Sequence, residues 1–181
     1  MRRTAKIRPA RLAECGAIQA LIDASSRALA APHYAPEVVE AALRAVLGVD
    51  TRLIQDGTYF VATVEQAIVA SGGWSRRKTL FGSDRVGGRD DELLDPRRDA
   101  AKIRAFFTHP DHTRQGLATR LLERCEEAAA AAGFRRLELG ATLSGTAFYA
   151  AHGYAPGAPL DYECAPGLHM RIVPMSKTLR A

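Results

Sequence analysis

The chain has 181 residues and a mass of 19.6 kDa, the size of one ordinary domain. Its composition, 47% apolar and 25% charged, excludes a mostly disordered chain. The net charge of +5 fits either a soluble, mildly basic protein or one that prefers anions, such as nucleic acid or a phosphorylated ligand.

The start, Met1-Arg2-Arg3-Thr4, is basic, but no apolar run follows it, so no secretory signal is expected. No later run nears the roughly 20 apolar residues of a membrane span. Lys6-Ile7-Arg8 reads as a first strand. After Pro9, Leu12, Cys15, Ile18, Leu21, Ile22 and Leu29 recur at spacings of three and four, which predicts one apolar helix stripe. Pro32-His33-Tyr34 breaks it. A second helix opens at Pro36-Glu37, carries Val39, Leu43, Val46 and Leu47, and stops at Gly48.

Leu53-Ile54 reads as a short strand. Thr58 to Val64 is β-branched and aromatic, Ala67 to Ala70 follows, and Glu65-Gln66 reads as the hairpin turn between them. Gly72-Gly73-Trp74 ends the pair. Residues 75–99 are polar and glycine-bearing, a long loop that is either a binding loop or a solvated excursion. Ala101 to Phe107 is the fourth strand, and His109-Pro110-Asp111 turns the chain.

A helix is predicted from about Gly116 to Ala132. Leu117, Leu121, Leu122, Cys125, Ala128, Ala129 and Ala132 lie on one side and its charges on the other, with Gly133 at the left-handed stop. Arg136 to Leu139 is the fifth strand. Ser144 is placed to cap a short helix through Phe148, Tyr149 and His152 that Gly153 ends. A closing hairpin turns at Pro166-Gly167. No repeat or linker divides residues 1–181, so one mixed α/β layer domain is expected, with its informative core at 101–154. Cys15, Cys125 and Cys164 are far apart and not in C-x-x-C spacing. That predicts neither a disulfide framework nor a zinc site, and a reduced cytoplasm as the setting.

Chemistry concentrates where the fourth strand turns through Thr113-Arg114-Gln115-Gly116-Leu117-Ala118 into the long helix. The first N–H groups of a helix lack internal partners, and the dipole adds positive potential, so a phosphate is held there by backbone donors. Gly116 and Ala118 are small enough for close approach, and Arg114 adds charge. No P-loop and no dinucleotide G-x-G-x-x-G is present.

This turn, the amphipathic helix, the next strand and the Phe148-Tyr149-x-x-x-Gly153-Tyr154 helix end together resemble the GCN5-related N-acetyltransferase family, the GNATs. The family's phosphate motif is Gln or Arg, two residues, Gly, one residue, then Gly or Ala. Gly116 and Ala118 match its last two fixed places, and Thr113 departs from the first. The resemblance implies a mostly antiparallel central sheet with splayed fourth and fifth strands, and acetyl-CoA as co-substrate without a metal.

It further implies that the pyrophosphate lies on the backbone of Arg114, Gln115, Gly116, Leu117, Ala118 and Thr119. The pantetheine arm would lie against Phe106, Phe107 and Thr108, with Tyr149 beside the sulfur. A tyrosine of ordinary pKa, about 10, is protonated at neutral pH and donates to a leaving thiolate. Substrate contacts in the family imply His33, Tyr34, Trp74 and Arg76 here, although Trp74 reads equally as a pocket wall or as core. Family members often carry a carboxylate base near the fourth strand. This strand has only Lys102 and Arg104 as charges, so Glu138, His33, His109 and His112 all stay open as the base.

The implied function is N-acetyl transfer to a primary amine of a small molecule or peptide. The alternative is a catalytically silent CoA-binding regulator of the same fold. Homodimers are common in the family. No membrane contact is expected, and a nucleic-acid partner is not, because aromatic-interleaved basic stretches, helix-turn-helix patterning and zinc spacings are all lacking.

Overall fold

The computed structural model describes residues 5–180; the basic residues Met1 to Thr4 considered above lie outside them, as does Ala181. The strands are β1 (Lys6–Pro9), β2 (Tyr59–Val64), β3 (Ala67–Ser75), β4 (Ala101–Thr108), β5 (Arg136–Thr142), β6 (Ala155–Pro156), β7 (Leu160–Ala165) and β8 (Leu168–Thr178). They form one eight-stranded sheet in the order β1-β2-β3-β4-β5-β8-β6, with β7 paired to β8. Every pairing is antiparallel except β4 with β5. The helices are α1 (Cys15–Ala30), α2 (Pro36–Ala45), α3 (Thr51–Gln55), α4 (Leu117–Ala131) and α5 (Thr146–Ala151). The mixed α/β architecture expected from the sequence is present.

The sheet separates two cores. On one face the α4 stripe of Leu117, Leu121, Leu122, Cys125 and Ala129 packs on Phe60, Trp74, Leu137 and Leu139. On the other, Ile18 and Ile22 of α1 and Val39 and Leu43 of α2 cover Tyr59, Val61, Met170 and Ile172. Among the described residues, no helix is long and apolar enough to cross a membrane.

Several local expectations hold for the stated physical reasons. Glu65 and Gln66 both take positive φ, 48° and 71°, as a tight hairpin turn requires. Gly133 (φ 95°) ends α4, and Gly153 (φ 86°) follows α5. The β7–β8 hairpin turns at Pro166-Gly167.

Others are corrected. Leu53 and Ile54 are helical, in α3, because the Asp50 carboxylate accepts the Arg52 N–H (3.2 Å) and caps that turn. Gly72 to Trp74 do not end β3 but lie inside it, since bare glycine backbone lets neighbouring rings close over the strand. α2 stops at Ala45, short of Gly48. Ser144 does not cap α5: Gly145 is the N-cap residue without a side-chain bond, and the Ser144 hydroxyl pairs with Thr142.

The pairing of β4 with β5 is confined to Ala101–Leu137 and Lys102–Glu138. Beyond it the strands part. The register of β3 on β4 slips between Ser71 and Gly73, so β4 carries a bulge at Ala105, which holds φ at 60°. A buried chain fixes the bulge: the Tyr59 hydroxyl donates to Ser71 Oγ (3.0 Å), which donates to the Ala105 carbonyl (3.2 Å).

Residues 75–99 are not a solvated excursion. Lys78 N and Leu94 N bond the carbonyls of Glu92 and Arg76 across the loop. Arg77 grips Asp56 through two bonds (2.8 and 2.9 Å), and Arg52 pairs with Asp91. The loop's charges largely satisfy one another, and its apolar tip, Leu80-Phe81, is left to pack inward.

Candidate active site

A cavity of about 780 Å³ occupies the gap where β4 and β5 part. It is bounded by the start of α4 and by α5 on one face of the sheet. On the other it is bounded by Ser25, Ser26, Leu29 and Ala30 of α1, the residues Val46 to Gly48 that follow α2, and the loop tip. Among the described residues that line it there is no aspartate or glutamate, while Arg104 and Arg114 both do. The lining therefore favours an anionic ligand.

The turn into α4 is built for close approach. Arg114 takes φ 60°, and Gly116, the N-cap residue, takes φ 75°. A Cβ built on Gly116 meets nothing within 4 Å, so the backbone faces open space. Arg120 N is the first donor to bond back, to the Gly116 carbonyl (3.1 Å). The N–H groups of Leu117, Ala118 and Thr119 precede it and have no carbonyl upstream within the helix. Arg114, Gly116, Leu117, Ala118 and Thr119 all line the cavity; Gln115 does not, and its amide reaches back to the Asp111 carbonyl (3.4 Å).

Tyr149 lies in the wall facing this turn, edge-on to Phe106 (6.1 Å between ring centres), Phe148 (5.1 Å) and Tyr154 (5.7 Å). Its hydroxyl bonds no described residue. Burial pushes the phenol above its ordinary pKa, so it stays protonated at neutral pH and is a donor rather than a base. Phe106 packs in this core, and Phe107, across the bulge, packs in the other. Phe106, Phe107 and Thr108 all line the cavity, but the Thr108 N–H is already given to Ser25 Oγ (3.2 Å).

Arg104 is the feature that sequence reasoning left without a role. Its guanidinium donates to Asp50 (2.6 Å) and to the carbonyls of Thr79 (3.1 Å) and Gly82 (2.7 Å). Asp50, only 1% exposed, also accepts from Arg89 (2.9 Å). Burial pulls the Arg104 guanidinium below its ordinary value, and Asp50 opposes that shift. A lone arginine inside the apolar run of β4 was the available signal: buried charge demands a partner.

The four expected substrate contacts lie elsewhere, none in the cavity wall. His33 is exposed in the turn between α1 and α2. Tyr34 spends its hydroxyl internally, accepting from Leu143 N and donating to the Arg171 carbonyl, each at 2.7 Å. Trp74 is core, edge-on to Phe134 at 6.0 Å. Arg76 is exposed and reaches the Asp56 carbonyl.

Of the candidate bases, Glu138 is tied to Lys102 (2.6 Å), and His109 accepts from Asp111 N (3.2 Å). Only His112 lines the cavity. Its Nδ1 is buried without a partner among the described residues, as is the Ser26 hydroxyl in the same cavity wall.

No curated protein matches the sequence. Solved structures do. A GCN5-related N-acetyltransferase from Rhodopseudomonas palustris aligns at TM-score 0.72 and 22% identity, over 97% of this chain and 96% of that one. The PaiA N-acetyltransferase from Thermoplasma acidophilum, in complex with coenzyme A, aligns at TM-score 0.66 and 14% identity, covering 97% and 99%. The yncA protein from Salmonella typhimurium, solved with its cofactor acetyl-CoA, aligns at TM-score 0.60 and 16% identity, covering 98% and 95%. At these identities the likeness is one of fold. The model of the acetyltransferase (GNAT) family matches residues 21–154, from Leu21 within α1 through the turn into α4 to Tyr154, and the chain belongs to that family.

Proposed function

We propose that this protein is an acetyl-CoA-dependent N-acetyltransferase acting on a primary amine of a small molecule or peptide. One observation carries it: the open Gly116 turn, the parted β4 and β5 and the protonated Tyr149 border a single cavity. The residues suit the co-substrate. The free N–H groups of Leu117, Ala118 and Thr119, with Arg114, suit a pyrophosphate. The main chain of Phe106 and Phe107 suits the amide-bearing pantetheine arm, and the Thr108 N–H drops out of that set.

Acetyl-CoA supplies the acetyl group as an activated thioester. The chain's part is to orient and to move protons. The apolar walls hold the amine against the gap and favour its neutral form. As the N–C bond forms and the C–S bond breaks, one proton leaves nitrogen and one reaches sulfur. In this reading Tyr149, protonated and in the cavity wall, gives the second. His112 is the only one of the candidate bases in the wall, which makes it and water the candidates for the first.

Two of the structural neighbours support this reading: the Thermoplasma protein was solved with coenzyme A and the Salmonella protein with acetyl-CoA. The test is calorimetric titration of acetyl-CoA and CoA, beside Gly116→Glu. Micromolar binding lost in the variant, followed by thiol release with amines, supports the proposal. Absence of binding to folded wild type overturns it. The missing lining carboxylate favours a second reading, a silent CoA-binding regulator. It predicts the same binding with no thiol release, and no rate for Tyr149→Phe to lower.

A further inference from the structure

We propose that the acceptor is a primary amine carried on an apolar, preferably aromatic, body without a second positive charge. This rests on the acetyltransferase reading and names the substrate class of the same site. The part of the cavity on the α1/α2 face is walled mainly by Leu29, Val46, Leu47, Leu80, Phe81 and Met170, with the neutral hydroxyls of Ser25 and Ser26 beside them. The first six are apolar, and the described lining holds no carboxylate anywhere.

A diamine or polyamine brings a further ammonium into this chamber. No anion is there to meet it, and Arg104 stands in the same wall. The Asp50 carboxylate is not a substitute, because it is 1% exposed and already faces both Arg104 and Arg89. Burying an unpaired charge is strongly disfavoured, so the chamber selects against such acceptors. The same desolvation lowers the pKa of the reacting amine itself, which lets water take its proton where no carboxylate is at hand.

Phe81 makes the chamber specific for a ring. It packs edge-on to Tyr162 (5.4 Å, 85°), and it sits over Gly140, where a Cβ would stand 3.1 Å from the ring. Arg104 fixes the loop on either side of it through the carbonyls of Thr79 and Gly82. The result is a held aromatic wall, suited to stacking or edge contact with an aryl group.

The experiment titrates 2-phenylethylamine and spermidine into the CoA-saturated protein, in wild type, Leu47→Glu and Phe81→Ala, with CoA affinity measured separately. Wild type is expected to bind phenylethylamine at least tenfold more tightly than spermidine. Leu47→Glu is expected to reverse that order by supplying the missing anion. Phe81→Ala, which keeps the test alive if the buried glutamate prevents folding, is expected to weaken phenylethylamine several-fold and leave spermidine unchanged.

Spermidine binding as well as or better than phenylethylamine in wild type overturns the inference. So does undetectable phenylethylamine binding to protein that holds CoA. Phenylethylamine binding without turnover leaves the chamber assignment standing and overturns the enzyme reading. Failure of CoA to bind overturns both.

Discussion

Asp50→Asn probes the charge cluster that joins the long loop to the site. Asp50 is 1% exposed, and the Arg104 side chain is 4% exposed. Three donors converge on the carboxylate: Arg104 at 2.6 Å, Arg89 at 2.9 Å and Arg52 N at 3.2 Å. An amide there removes the only carboxylate bonded to the buried Arg104 among the described residues. Breaking a buried pair by removing one partner costs about 3–5 kcal/mol. For a chain of this size that corresponds to a fall in melting temperature of roughly 6–20 °C.

Arg104→Met is the informative contrast, because Asp50 keeps Arg89 and the Arg52 N–H. Its fall is expected to be smaller. It also releases the carbonyls of Thr79 and Gly82, so acceptor KM rises while acetyl-CoA affinity holds. Thermal unfolding and steady-state kinetics on both variants read this out. A change under about 2 °C in Asp50→Asn, or a larger loss in Arg104→Met, would refute the claim that this pair is desolvated and mutually dependent.

Gly72→Ala places a Cβ 2.6 Å from the Phe106 ring and drives that ring from its place against Tyr149. Overpacking should cost about 1–3 kcal/mol and weaken acetyl-CoA in calorimetry; neither change would contradict the packing. Tyr34→Phe strips partners from Leu143 N and the Arg171 carbonyl, and urea unfolding should show a loss of about 2–4 kcal/mol for the two groups left unpaired. In Asp56 the Arg77 bonds hold the carboxyl below its ordinary value. Its stabilisation is therefore complete above the unfolded pKa near 3.9 and fades as pH falls through the folded one. Asp56→Asn should cost about 2 kcal/mol at pH 7, with the gap to wild type closing in urea titrations toward pH 3; a constant gap would refute the pairing.

Local rules made much of this molecule legible. The open turn into α4 followed from Gly116 and Ala118 at a helix start, and α4 itself from its apolar stripe. The β7–β8 hairpin followed from Pro166-Gly167. These depend on neighbours within a few residues, so the sequence carries them directly. The acceptor side was not legible, because its partners are remote in sequence. Asp50 and Arg104 are 54 residues apart, and Tyr34 and Leu143 are 109 apart. Polarity misled at 75–99: a run of charges reads as solvated surface, yet here opposite charges meet one another and release Phe81 to face inward. Trp74 and Tyr34 looked available for a ligand because side chains of that kind serve either purpose. Only the tertiary contacts with Phe134 and with Arg171 decide it.

The bulge at Ala105 is where the fold becomes a site. A strand that stayed in register with β3 would continue beside β5 and close the gap. A left-handed alanine costs about 1–2 kcal/mol, and the two hydrogen bonds of the Tyr59–Ser71–Ala105 chain contribute about the same in the opposite sense. That near balance allows the distortion to persist without a glycine. The bulge also sets direction. Arg104, just before it, turns to Asp50 and the loop, Phe106 turns to Tyr149, and Phe107 turns to the α1/α2 core. One irregular residue thus lies at the gap, between the ring that meets Tyr149 and the arginine that holds the loop around Phe81. The shape of the cavity is accordingly a property of β4 as much as of the turn into α4, and the hydroxyls of Tyr59 and Ser71 support it through the Ala105 carbonyl.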